Sequence, residues 1–264
     1  MTLTKRSLFV ALGLLPALLL PGLARAQDAL AQIEERGTVR IGVPTDYPPY
    51  GFAGLDLQPQ GLDIEFASYI GEKMGAKVEF VPVVSANRIP YLQTGRIDLV
   101  VSTLGKNAER AKIIDFSHAY APFYQGIFAR KDVSIESFGD LANRTVAVTR
   151  GAMEDEMLAQ VAPPETRVQR FEDQAATTAA FAAGQTEVIA TSVSNIGILT
   201  QRNPALGIEY KLLLRDSPCF VGINKGQDAL LAKVNEIVSG AKEDGTIEAL
   251  SQKWLQRAAG ELPL

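Results

Sequence analysis

The sequence has 264 residues, 47% of them hydrophobic, and a formal net charge of −4 at pH 7, a balance that argues against nucleic acid as a partner. Its single histidine excludes multi-histidine metal sites, and its single cysteine excludes an intramolecular disulfide. No Walker loop and no GxGxxG fingerprint after a strand is found, so we expect no bound cofactor and no metal.

The first 26 residues have the features of an export signal. Two bases precede an apolar run, Leu8–Leu20, and a small-x-small motif, Ala24-Arg25-Ala26, follows it. An uncleaved anchor helix would need a longer apolar core. We predict cleavage before Gln27 and export to the periplasm. No cysteine is present there for lipid attachment, and no later stretch is apolar enough to cross a membrane, so we expect no membrane insertion after cleavage.

The next part of the chain alternates helices and strands. This alternation predicts a mainly parallel sheet in an α/β fold. The predicted elements are helix Asp28–Arg36, strand Thr38–Val43, helix Gly61–Met74, strand Val78–Val84, helix Asn87–Leu92 and strand Ile97–Val101. The loop after the first strand is stiffened by three prolines and carries Tyr47 close to the strand end, where ligands of such sheets bind.

The strand Ile97–Val101 leads to a group of residues suited to an anion. It ends at Ser102-Thr103, a turn containing Gly105 follows, and Arg110 lies on a short helix opened by Asn107. Ligands bind outside the carboxyl ends of strands in open α/β sheets, and an arginine offers a planar fork of donors to a carboxylate. The alternative is an ordinary strand and turn followed by a surface arginine in an ion pair.

The pattern then starts again. Gly184–Ser192 repeats the layout of Gly95–Thr103, which suggests two lobes of like construction that point their strand ends at a common cleft. After these lobes, two strands and two helices close the chain, and this tail could return to the first lobe. The elements predicted here are strands Ala121–Arg130, Arg144–Thr149, Thr166–Phe171, Glu187–Thr191, Glu209–Leu214 and Phe220–Ile223, and helices Ala152–Val161, Asp173–Ala183, Asp228–Val238 and Thr246–Arg257.

Four segments resemble patterns of one known family. They are GLDIEFA at 61–67, RIPYLQTGRID at 88–98, ERAKIIDFS at 109–117 and KWL at 253–255. Together they resemble the periplasmic solute-binding proteins of ABC importers for polar amino acids, solute-binding protein family 3. The resemblance implies a two-lobed periplasmic binding protein fold, each lobe a mainly parallel sheet flanked by helices, with two hinge strands and a ligand clamped by hinge closure.

Carried over onto this chain, the resemblance predicts domain bounds. Residues 1–26 are the signal peptide, 27–122 the first part of lobe 1, 123–217 lobe 2, and 218–264 the second part of lobe 1. The hinges fall near Pro122-Phe123 and Pro218-Cys219.

The resemblance also implies site residues. Arg110 would hold the α-carboxylate of the ligand, Thr103 would contribute its carbonyl or hydroxyl, and Tyr47 would cover the ligand side chain. No catalytic residue is expected. The full candidate ligand-binding set is Arg110, Thr103, Ser102, Gly105, Tyr47, Asp46, Ser85, Met153 and Ser192.

The chain departs from the family pattern in three places, one of them a pair of residues. Gly105 stands where a serine or threonine is common, and Ala152-Met153 where a threonine pair is common. Ser192 stands where an aspartate usually pairs with the ligand's α-ammonium, and a buried ammonium without a carboxylate is costly. Either another acid serves, with Asp46, Glu154 and Asp155 as candidates, or the ligand is not a standard α-amino acid.

We therefore expect a monomeric binding protein that performs no chemistry. It would deliver a small carboxylate-bearing solute, most simply a polar amino acid, to the membrane permease of an ABC transporter. One alternative is a periplasmic lyase on the same scaffold, resembling the cyclohexadienyl dehydratases. Another is a ligand sensor coupled to a chemoreceptor.

Overall fold

The computed structural model describes residues 28–263, so the predicted signal segment and its cleavage site lie outside the described residues. Helices and strands alternate in the first part of the chain. They are α1 (Ala29–Arg36), β1 (Thr38–Val43), β2 (Asp46–Tyr47), β3 (Gly51–Ala53), β4 (Pro59–Gln60), α2 (Leu62–Met74), β5 (Lys77–Pro82), α3 (Arg88–Gln93), β6 (Leu99–Val100), α4 (Ala108–Ala111) and β7 (Ile114–Ala121).

The remaining elements repeat this alternation and then close the chain with two helices. They are β8 (Tyr124–Arg130), a 3₁₀ helix (Phe138–Leu141), β9 (Thr145–Thr149), α5 (Met153–Val161), β10 (Arg167–Phe171), α6 (Gln174–Ala182), β11 (Val188–Ser192), α7 (Val193–Arg202), a second 3₁₀ helix (Pro204–Leu206), β12 (Ile208–Asp216), β13 (Cys219–Asn224), α8 (Asp228–Glu243) and α9 (Thr246–Leu255).

The fold is two-lobed, with one five-stranded sheet in each lobe. The strand order is β5-β1-β6-β13-β7 in lobe 1 and β10-β9-β11-β8-β12 in lobe 2. Only β13 and β8 run against the other strands of their sheets, so each sheet is mainly parallel, as the alternation predicts. Strands β2, β3 and β4 form a small separate sheet beside lobe 1.

The chain passes between the lobes twice. It leaves lobe 1 after β7 and returns before β13, which lies between β6 and β7. The two crossings run side by side, because the backbone N–H of Ser217 donates to the carbonyl of Phe123 at 3.1 Å. Adjacent short connections of this kind let two lobes rotate relative to each other about one line.

The tail packs on lobe 1. Val234 and Val238 of α8 are fully buried in the core that also holds Phe66 of α2. On the surface, Lys253 of α9 pairs with Glu65 at 2.6 Å. The return of the tail to the first lobe, left open by the sequence, is therefore seen directly.

Several elements differ from the sequence prediction. The strand predicted from Ala121 begins at Tyr124, since proline at 122 has no N–H for a strand ladder. The strand predicted over Ile97–Val101 is a ladder of only Leu99–Val100. Strand β7 and helix α7 were not predicted. Within residues 28–263, no helix is both long and apolar enough to cross a membrane.

Candidate functional site

The two lobes meet at the carboxyl ends of their strands. The Tyr47 hydroxyl lies 3.4 Å from Thr191 Oγ1, and the Tyr50 hydroxyl donates to Ser194 Oγ at 3.3 Å. Asp46 accepts from the backbone N–H of Gln174 at 2.7 Å. Each contact joins the loop after β1 to lobe 2, so the structure represents a closed arrangement in which Tyr47 is buried.

Arg110 lies at this boundary and is not a surface residue. It is 6% exposed. Its Nη1 donates to the carbonyl of Gly105 and its Nη2 to that of Gly151, both at 3.1 Å. Its Nε and Nη2 also donate to Oε1 of Glu156, at 3.1 and 2.7 Å. The fork of a lobe 1 arginine therefore holds a carboxylate, supplied by lobe 2.

A second buried arginine, Arg88, was missed by the sequence analysis. It is 5% exposed. Its Nη2 bonds to Ser85 Oγ, and its Nη1 donates to the carbonyl of Thr103 at 3.5 Å. Its Nε has no hydrogen-bond partner among the described residues. Burial, followed by the charge of Arg110, lowers the pKa of Arg88, although a guanidinium stays protonated in proteins.

Glu154 faces these arginines from lobe 2. It is 3% exposed, and its Oε1 has no hydrogen-bond partner among the described residues. Burial raises the pKa of Glu154 to about 7, against the opposing effects of its own backbone N–H, of the charges of Arg88 and Arg110, and of a hydrogen bond from Gln125. A buried, incompletely bonded carboxyl group is costly in a folded protein, which is why such groups often mark functional sites.

Asp63 supports the site from behind. Its carboxylate accepts from the Thr103 backbone N–H at 2.9 Å and from the Tyr120 hydroxyl at 2.7 Å. These bonds hold Thr103 at a φ of 44°, a left-handed conformation that is uncommon for a threonine. Burial raises the pKa of Asp63 to about 7. The carbonyl of Thr103 is consequently turned toward Arg88.

These two acids lead to a prediction about stability. Because the pKa of each carboxyl group is about 7 when folded and near 4 when unfolded, the native state binds more protons between these values. Stability should therefore be highest at and below about pH 4 as far as these two groups determine it, and should fall by about 3 to 4 kcal/mol per group as pH rises through about 7. Urea unfolding across this range measures it. The double variant Asp63→Asn, Glu154→Gln should flatten the slope, and an unchanged slope would contradict the assignment.

The other predicted site residues occupy the same region with different roles. Ser102 is fully buried and its hydroxyl has no partner among the described residues. A Cβ on Gly105 would lie 2.9 Å from Met153 Cε, so Met153 of lobe 2 packs against that turn. Ser192 is buried, but its Oγ accepts from the Asn195 backbone N–H at 3.2 Å and caps α7. The hydroxyl of Ser192 is thus already engaged.

Residues 39–257 match the family described as bacterial extracellular solute-binding proteins, family 3. The chain belongs to this family.

Several known proteins are similar to this family 3 chain along most of its length. The ABC transporter glutamine-binding protein GlnH of Bacillus subtilis is 29% identical over 240 residues, which cover 89% of this chain and 87% of that protein. The L-cystine-binding protein TcyJ of Escherichia coli K12 is 27% identical over 231 residues, covering 86% of each. The crystal structure of the ancestral amino acid-binding protein AncCDT-1, a precursor of cyclohexadienyl dehydratase, is 32% identical with a TM-score of 0.76, and the match covers 86% of this chain and 99% of that one.

In this family 3 chain, the three acids considered as partners of a ligand ammonium differ in their hydrogen bonding. Asp46 accepts hydrogen bonds from the backbone N–H groups of Gln174 and Ala175, which connect the two lobes. Asp155 accepts from Arg170 at 2.7 Å and from the Gly151 backbone N–H at 3.1 Å. Of the three, Glu154 alone has a buried oxygen without a partner among the described residues.

Proposed function

We propose that this chain is a periplasmic binding protein that carries a small carboxylate-bearing solute, a polar amino acid, to the permease of an ABC transporter. It acts as a monomer and without chemistry. Its named relatives bind glutamine and L-cystine. The observation that carries the proposal is the closed boundary between lobes, where Arg88 Nε, Ser102 Oγ and Glu154 Oε1 are buried without partners among the described residues. Buried polar atoms without a partner suit a polar ligand.

The ligand carboxylate would take the place of Glu156 on Arg110. The side chain of Glu156 is 36% exposed and can turn to solvent, whereas that of Arg110 is 7% exposed and stays. The contact between Arg110 and Glu156 supports this replacement. Two guanidinium N–H groups of Arg110 donate to one carboxylate oxygen of Glu156, and a ligand carboxylate could accept the same two hydrogen bonds. The backbone of Gly105 and the side chains of Thr103 and Tyr47 would complete the site.

The ligand would enter when the two lobes move apart. Lobe 1 comprises residues 27–122 and 218–264, and lobe 2 comprises residues 123–217. The crossings at Pro122-Phe123 and Pro218-Cys219 would act as the hinge. Opening would break the contacts of Tyr47, Tyr50 and Asp46 with lobe 2 and admit the ligand.

A binding screen tests the proposal. Each of the twenty L-amino acids is added to the mature protein, the melting temperature is recorded, and the ligands that raise it are titrated by calorimetry. We expect a polar amino acid to raise the melting temperature and to bind one molecule per chain. If no amino acid or related carboxylate shifts the melting temperature, the proposed function is wrong.

The exchange at Arg110 leads to a separate prediction. Glu156→Gln removes the internal carboxylate that competes with the ligand, so it should tighten ligand binding about two- to fivefold, the range of a partly exposed ion pair. Glu209→Gln, at an exposed acid paired with Lys211 far from the cleft, serves as the control. Calorimetry gives both affinities, and weaker binding by the Glu156 variant would argue that Glu156 holds the closed state instead.

A lyase is the second candidate, and Glu154 is the observation that favours it. A buried carboxyl group with a pKa of about 7 can act as a general acid, and AncCDT-1 is a precursor of a dehydratase. Incubating the protein with prephenate or arogenate and measuring phenylpyruvate or phenylalanine separates the two functions. Turnover that disappears in Glu154→Gln would establish the enzyme and overturn the binding proposal.

A further inference from the structure

We propose that Glu154 accepts the α-ammonium group of the ligand, in place of the acid that is missing at Ser192, and that the site therefore selects zwitterionic α-amino acids over their des-amino counterparts. This inference rests on the proposed function of the cleft. It names the class of ligand and a specificity-determining residue that lies on a different strand-to-helix segment from Ser192.

The first argument is the hydrogen bonding of the carboxyl groups. Asp63 is bonded to Thr103 and Tyr120, Asp46 to the backbone of α6, and Asp155 to Arg170. Glu154 is buried like Asp63, at 3% and 0% exposure, but keeps one oxygen, Oε1, without a partner among the described residues. An ammonium donor from the ligand would satisfy it, and leaving a buried acceptor unsatisfied costs about 1 to 3 kcal/mol.

The second argument is the position of Glu154 between the lobes. It follows the turn at Gly151, whose carbonyl accepts from Arg110 Nη2 at 3.1 Å. The charges of the two guanidinium groups, Arg88 and Arg110, both lower its pKa. A ligand whose carboxylate lies on Arg110 would thus bring its α-carbon substituents within reach of Glu154. In an α-amino acid one of those substituents is the ammonium.

The third argument is the charge of the cluster. Once Glu156 turns to solvent, the two guanidinium groups of Arg88 and Arg110 interact with two buried carboxyl groups, Asp63 and Glu154. Asp46, whose charge also acts on Arg88, is compensated by the backbone N–H groups of α6. A zwitterion adds no net charge, so this cluster is neutral with both carboxyl groups ionised. A des-amino acid adds one negative charge, which a buried cluster tolerates only if one carboxyl group takes up a proton.

This difference predicts opposite pH dependence for the two kinds of ligand. The groups that interact electrostatically with Glu154, or that hydrogen-bond to it, are Arg88, Arg110, Tyr47, Gln125 and Cys219. An ammonium favours the ionised carboxylate, so an amino acid should bind more tightly as pH rises from about 5 to about 7 and should release a proton. A 2-hydroxy acid should bind more weakly over the same interval. The titration of Asp63 affects the affinities of both ligands, so its effect cancels in the ratio of the two affinities.

The experiment compares matched ligands on matched variants. Each L-amino acid that raises the melting temperature is titrated by calorimetry together with its 2-hydroxy acid. We expect the wild type to prefer the amino acid by about 10- to 100-fold at pH 7.5. Glu154→Gln should lose most of that preference, because the amino acid binds more weakly and the hydroxy acid, which no longer requires proton uptake at Glu154, binds more tightly. Asp155→Asn, at the neighbouring acid bonded to Arg170, should keep it.

A second measurement needs no variant. Titrations of the wild type near pH 7 in buffers of different ionisation enthalpy count the protons exchanged on binding, and we expect net release with the amino acid and uptake with the hydroxy acid. Preference that survives in Glu154→Gln, or equal proton exchange for both ligands, would overturn the inference while leaving amino acid binding intact. Absence of any binding by the wild type would instead reject the proposed function.

Discussion

Arg110→Ala should abolish ligand binding, with a loss of at least about 100-fold in affinity. Hydrogen bonds to a charged group are worth about 1.5 to 3 kcal/mol each, and the fork of Arg110 offers two of them to a carboxylate. Arg110→Lys should also bind poorly, because a point charge does not reproduce the planar fork. Isothermal titration with the ligand found in the amino acid screen measures both variants.

The control for Arg110 is Arg150→Ala. Arg150 lies on lobe 2 beside Gly151, whereas Arg110 lies on lobe 1. The side chain of Arg150 is 54% exposed and its contact with Glu172 is long, at 3.8 Å, so its removal should leave affinity unchanged. Circular dichroism would establish that the Arg110 variants remain folded. Unchanged affinity in folded Arg110→Ala would remove Arg110 from the site and leave Arg88 as the arginine that meets the carboxylate.

Gly61→Ala should lower the melting temperature by about 10 °C. Gly61 precedes α2 with a φ of 131° and a ψ of 173°, a conformation essentially restricted to glycine. A Cβ there would lie 2.4 Å from the Tyr50 carbonyl oxygen. Strain and overlap together should cost about 3 kcal/mol or more, and 1 kcal/mol shifts the melting temperature of a domain this size by about 2 to 4 °C.

Gly240→Ala is the matched control for Gly61. Gly240 lies inside α8, and a Cβ there would meet nothing within 4 Å. Alanine favours a helix over glycine by about 0.5 to 1 kcal/mol, so this variant should melt slightly higher than the wild type. Differential scanning calorimetry on both variants tests the pair. A Gly61 variant as stable as the wild type would show that the Tyr50 loop can move aside.

Local signals explain the elements that were predicted well. Strand β1 has the predicted bounds, and α2 begins one residue later than predicted and ends where expected. Helix α2 has acids in its first turn and Gly75 in the left-handed conformation at its end. Such caps depend on neighbouring residues, so they can be read from the sequence.

Elements that depend on distant partners were missed. Strand β7 pairs with β13, about a hundred residues later. Helix α7 starts with valine, serine and asparagine, which are weak helix formers, and it is stabilised by the cap from Ser192 and by burial of Ile196 against lobe 2. Neither contact has a local signal.

The same distinction applies to the candidate site. Gly105, Met153 and Arg110 were named from the sequence and lie together at the boundary between lobes. Arg88 was not named, because its burial results from contacts with Thr103 and Ser85. The sequence did contain a signal for Arg88. Ligands of open α/β sheets bind outside the carboxyl ends of the strands, and Arg88 follows the carboxyl end of β5.

The position of β13 has a consequence for how the chain acquires its structure. This strand fills the gap between β6 and β7 in the middle of the lobe 1 sheet, yet it is the last strand to be synthesised. Lobe 2 is continuous and can fold as soon as β12 has emerged. Lobe 1 must wait with two open strand edges, which are sites for aberrant pairing with other chains. The lobe that is synthesised first is therefore completed last, and residues 219–224 complete its sheet.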